Sequence, residues 1–77
     1  MDKNEMLTLL YEEYKRCIGA APMFVDLGKE LNKRDEGAYK ALGKLSHLLQ
    51  IKNDYLNEEI IDAFTEARRA IIESEKI

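Results

Sequence analysis

A chain of 77 residues with 45% hydrophobic and 35% charged side chains has room for one small domain and is too apolar for a disordered segment. A single cysteine excludes an internal disulfide, and a net charge of −3 with a pI near 5.1 argues against duplex nucleic acid as the main partner. One Pro, four Gly, four Tyr and two Phe suit helices better than a turn-rich β-sandwich.

In chain order, Asp2 stands three residues before Glu5 in capping-box spacing, and the apolar series Leu7, Leu10, Tyr14 and Cys17 follows at helical intervals. This first helix is expected to stop at Gly19, a natural left-handed cap. Pro22 then suits the first position of a second helix, whose apolar face carries Met23, Phe24, Leu27 and Leu31. The polar run Asn32-Lys33-Arg34-Asp35-Glu36-Gly37 reads as a tight connection with Asp35 as the next N-cap. The apolar phase nevertheless survives this run, so one continuous helix from Pro22 to Lys52 is the alternative.

The third helix presents Ala38, Leu42, Leu45 and Leu49, flanked by Ala41 and Leu48. Its small residues Ala38, Ala41, Gly43 and Ser46 permit the close approach of a neighbour. After the turn residues Lys52-Asn53-Asp54, Asn57 is a good N-cap with Glu58 and Glu59 in the first turn, and Leu56 and Ile61 have the spacing of a hydrophobic staple. A fourth helix runs through Ile60, Phe64, Ala67 and Ile71 to about Glu73. The expected fold is all-α: one domain over residues 1–77, a small antiparallel up-down bundle of four helices, or of three if the second and third are continuous. The charged N-terminus, with no apolar region after it, gives no sign of a targeting signal, and no run approaches a membrane span. The expected location is the cytoplasm.

Chemistry-bearing residues are few. Cys17 and His47 are each the single residue of their kind, so a zinc site would need carboxylates for most of its ligands, and no metal or cofactor is expected. Cys17 lies on an apolar stripe and His47 on the opposite face of its helix, which separates them as a catalytic pair. A helix-turn-helix DNA reader needs a basic recognition helix, whereas the fourth helix begins acidic.

Charge divides unevenly: residues 27–52 hold six Lys or Arg against three acids, and residues 53–77 hold three against seven. Lys40, Lys44 and His47 fall within about 60° on the third helix, a basic stripe suited to an acidic partner or a phosphate. Because Lys40 and Lys44 repel at i, i+4, Lys44→Glu is expected to leave the fold intact or slightly steadier. Arg68 projects about 40° from Phe64, inside the apolar stripe of the fourth helix, and needs either an exposed head, a pair with Glu13, or an anion. Val25 and Ile51 point away from the buried faces and predict self-association, a dimer first of all.

These residues carry several resemblances. Glu59-x-x-Asp62 is similar to one of the carboxylate pairs of magnesium-dependent helical nucleotide pyrophosphatases, which add a second Glu-x-x-Glu pair that this sequence lacks. An exposed helical His resembles that of histidine phosphotransfer domains, which carry Lys and Gly soon after it, where this chain reads His47-Leu48-Leu49-Gln50-Ile51. In size and helical order the chain resembles bacteriocin immunity proteins, and also the small helical inhibitors that phages direct against host defences.

The reading reached is a non-enzymatic helical interaction protein: a stoichiometric inhibitor, immunity or adaptor factor that binds a partner protein through a helix surface. Its candidate binding residues are Lys40, Lys44, His47, Arg68 and Val25. The alternatives are a binder of an anionic small molecule or nucleotide signal, and phosphotransfer through His47.

Overall fold

The computed structural model describes residues 1–16, 24–52, 54 and 56–77. Four helices account for most of them: α1 (Lys3–Arg16), α2 (Val25–Arg34), α3 (Glu36–Lys52) and α4 (Glu58–Glu73). The result is an all-α four-helix bundle, and the continuous helix from Pro22 to Lys52 does not form. Asp35 breaks it. Its backbone turns to φ −148° and ψ 101°, its amide still donates to Leu31 O, and its side chain caps the next helix by accepting from Ala38 N at 3.1 Å. The two helices therefore meet across one residue.

The predicted caps form. Asp2 Oδ1 accepts from Glu5 N at 2.8 Å, and Asn57 Oδ1 accepts from Glu59 N at 2.9 Å. The staple does not. Leu56 is 85% exposed, and the turn before α4 is held instead by Asp54, whose Oδ1 accepts from Leu56 N and whose carbonyl accepts from Asn57 N. Helix α2 begins at Val25, after a non-helical Phe24. Cys17, Gly19, Pro22 and Met23 lie outside the described residues.

Side-chain contacts fix the topology. Lys3 Nζ donates to Ile72 O and Ser74 O, so α1 runs opposite to α4, while Lys44 and Lys52 bridge to Glu66 and Glu59, so α3 runs opposite to α4. Arg34 donates to Met1 O, which sets α1 against α2 in the same sense. Each helix packs on its two neighbours, α3 on α4 most extensively and α1 on α2 least.

The core is built from Met6 and Leu10 of α1, Phe24, Leu27 and Leu31 at α2, and Ala38, Leu42, Leu45 and Leu49 of α3. Ile60, Ala63, Ala67 and Ile71 of α4 complete it. On α1 the buried pair is Met6 and Leu10, with Leu7 and Tyr14 only partly covered, so the core face is turned slightly from the expected series. Tyr14 stacks on Phe64 at 4.4 Å between centroids and seals the α1–α4 seam. At one end the chain is tied off. Ser74 Oγ donates to Asp35 Oδ2 at 2.6 Å, linking the end of α4 to the α2–α3 junction, and Lys3 covers carbonyls that the end of α4 leaves without helical partners.

Candidate functional site

The short α2 and the longer α3 form a hairpin hinged at Asp35, and their outer side is an open groove of about 500 Å³. Its floor is the buried Phe24 and Leu42, its walls the exposed Val25 and Tyr39, and its rim carries Lys29 and Lys40. Asn32 and Ser46 add neutral polar atoms, and none of the described lining residues is acidic. Two glycines account for the depression. A Cβ at Gly28 would rest in ordinary contact with Leu42 and Tyr39, at 3.9 and 4.0 Å, whereas a Cβ at Gly43 would meet nothing within 4 Å. A helix-interior Gly is less stable than Ala by about 1 kcal/mol, and Gly43 recovers none of this through packing.

A second depression, of about 430 Å³, lies on the outer side of α1 and has the opposite sign. Asp2, Glu5 and Glu12 line it beside Leu9 and Thr8, with no basic side chain among its described lining residues.

The five predicted binding residues do not form one patch. Val25 and Lys40 line the α2–α3 groove together. Lys44 turns to the other flank of α3 and pairs with Glu66 at 3.5 Å, and Lys40 itself pairs with Glu36 at 3.4 Å, so neither charge of the basic stripe stands alone. His47 is exposed on α3 and makes no hydrogen bond or ion pair with the described residues. Arg68 is exposed on α4 and likewise makes no ion pair among them, so its head lies in water in the snorkelling arrangement. Glu13, its suggested partner, is half-buried. Burial raises its carboxyl above the ordinary value, Asp26 raises it further, and Arg16 opposes both.

No known protein family, curated protein or solved structure matches this chain.

The remaining chemistry is accounted for within the bundle. Glu59, half of the carboxylate pair with Asp62, receives Lys52 Nζ at 2.8 Å, and that hydrogen bond, then the lysine charge, holds its carboxyl below the ordinary range. Among the described residues no group of three or more His, Cys, Asp or Glu is placed to hold a metal ion. Nor is any described helix long and apolar enough to cross a membrane.

Sequence reasoning missed Lys29, Tyr39, Asn32 and the role of Phe24 as a floor. The available signal was Gly43, expected with Ala38, Ala41 and Ser46 to permit the close approach of a neighbour; instead a Cβ there would meet nothing within 4 Å. The periodicity shows which residues of α2 and α3 face inward, but not that the junction at Asp35 leaves their outer flanks apart.

Proposed function

We propose that this protein is a non-enzymatic interaction module, a stoichiometric binder of another protein of the kind that serves as inhibitor, immunity factor or adaptor. What supports the reading is one observation: exposed apolar side chains and basic side chains converge on a single open groove, with Val25 and Tyr39 beside Lys29 and Lys40. An apolar surface rimmed by charge is the usual form of a protein contact. The groove is open and shallow, unlike the enclosed cleft that surrounds most of a small ligand.

The test is affinity capture from the cells that produce the protein, followed by gel filtration of the captured complex. A partner held at fixed stoichiometry and released chemically unchanged is the expected result. Recovery of a partner that has been cleaved or covalently modified, or of no partner, would replace this reading with a catalytic or small-molecule role.

A further inference from the structure

We infer that the α2–α3 groove receives an acidic amphipathic helix of the partner, its apolar side on Phe24, Leu42, Val25 and Tyr39 and its flanking carboxylates against Lys29 and Lys40. This rests on the binding role proposed above and adds the site and the chemistry of what fills it. Three observations lead to it. The groove has an apolar floor and exposed apolar walls, the arrangement that takes the anchor residues of a helix. Gly43 lines it without a side chain, and an added Cβ there would meet nothing within 4 Å, so a partner's anchor has room beside it. Its lining bears Lys29 and Lys40, the latter also paired with Glu36 at 3.4 Å, and no described acid, although the protein as a whole carries a net charge of −3.

The same charge argues against the other occupants. A symmetric dimer formed groove to groove would place Lys29 and Lys40 of one copy against those of the next, which is repulsive. A head-to-tail contact, with the acidic outer side of α1 entering the groove of a neighbour, has no built-in closure and leads toward open chains. A small anion would meet the two exposed lysines but would leave the apolar walls uncovered.

The experiment is selection from a displayed library of random peptides of about 15 residues, ~22 Å long as a helix, which fits within the 31 Å long axis of the domain. Enriched peptides are titrated against wild type, Gly43→Leu, the double variant Lys29→Glu/Lys40→Glu, and Ile61→Ser on α4 as a remote control. Expected are acidic peptides with apolar residues at helical spacing, weakened about tenfold or more by both groove variants and unchanged by Ile61→Ser. Gly43→Leu should meanwhile raise the melting temperature by about 4–8 °C, separating a blocked groove from a damaged fold. Should that variant fail to fold, the double lysine variant carries the same decision.

Enrichment of basic or uncharged peptides overturns the proposal. So do peptides that lose affinity with Ile61→Ser and not with the groove variants, a result that leaves the binding role standing on another face. Concentration-dependent mass in sedimentation, abolished by Gly43→Leu, would make the occupant a second copy. Inorganic phosphate or ATP shifting the amide resonances of the groove, with no peptide enriched, would make it a small anion. No enrichment, together with no captured partner, removes the site and the proposed role at once.

Discussion

The two flanks of α3 are made from similar materials and end in opposite states. Toward α4, the stripe Ala41, Lys44, Leu48 and Lys52 is closed: Ala41 and Leu48 pack on the core, and Lys44 and Lys52 reach Glu66 and Glu59. Ala63, 1% exposed, lies on the same side of α4 as those two glutamates, so the small residue there is fully covered. Toward α2, small residues are again present, yet Gly43 faces open space and Val25 and Tyr39 remain 48% and 41% exposed. Small side chains on one flank let two helices close, and on the other they leave volume unfilled. The difference is geometric. Helices α3 and α4 are joined through a longer connection and pack on each other most extensively, whereas α2 is joined to α3 through Asp35 alone and packs on it less.

Between the flanks lies a shared wall, and breaking it has the largest expected effect. Leu45 is fully buried at the middle of α3, so Leu45→Ala should destabilise the protein by about 2–5 kcal/mol in urea unfolding, enough to remove much of the stability of a domain this size. A loss below about 1 kcal/mol would mean that α3 is not the common wall of both flanks.

The next effect separates the flanks directly by adding the same bulk to each. Ala63→Leu on the closed side should lose about 1–3 kcal/mol through overpacking. Gly43→Leu on the open side should gain up to about 1 kcal/mol, because helix propensity improves and an added Cβ meets nothing within 4 Å. Equal losses from the two substitutions, measured by thermal melts of the pair, would erase the distinction and show the groove to be closed in solution.

Much of the core was legible in the sequence, because burial on helices follows a period that can be counted. Leu27, Leu31, Leu42, Leu45, Leu49, Ile60 and Ile71 all lie where that period puts them. The caps at Asp2, Asp35 and Asn57 were legible too, since each depends on residues two or three positions away. The open flank and the tied end were not. The Ser74–Asp35 bond spans 39 residues and the Lys3–Ile72 bond spans 69, distances over which local pattern carries no information. The basic stripe illustrates the same limit: Lys40, Lys44 and His47 share a face of an isolated helix, but α4 claims Lys44 and the groove takes Lys40.

Asp35 holds the hinge that sets the flanks apart, and its removal is expected to have the third largest effect. Asp35→Ala removes both the cap of α3 and the acceptor of Ser74, and should lower the melting temperature by about 4–8 °C. The pH dependence gives a finer test. The Ser74 hydrogen bond, then that from Ala38 N–H, hold the Asp35 carboxyl below its ordinary value of 3.8. A depressed carboxyl stabilises the fold fully above the unfolded value and loses that contribution as pH falls through the folded one. Glu13 has the opposite sign: its raised carboxyl favours the fold below the ordinary 4.5, and that contribution fades as pH rises through the folded value. Asp35→Asn, which keeps an oxygen for Ala38 N–H, should therefore flatten the acid limb of stability below about pH 4. An unchanged acid limb would remove Asp35 from the account of acid unfolding.

The smallest expected effect tests the closed flank at its surface. In an isolated helix, Lys44→Glu would relieve repulsion from Lys40 and steady the fold. The bundle reverses that expectation, because Lys44 Nζ lies 3.5 Å from Glu66 across the α3–α4 seam and the substitution places two carboxylates there. Both side chains are more than half exposed, at 60% and 52%, so solvent screens the pair and its contribution is at most about 1 kcal/mol. Lys44→Glu should then cost a few tenths of a kcal/mol, roughly 0.3–0.5 once the new attraction to Lys40 is counted. Glu66→Lys in the same chain should restore the lost stability by rebuilding the bridge in reverse. The double-mutant cycle, run at low salt and again near 0.5 M, where screening acts within about 4–5 Å, should show coupling in the first condition and little in the second. A Lys44→Glu variant steadier than wild type would mean that the local helix outweighs the seam, and would return Lys44 to the free basic stripe beside Lys40.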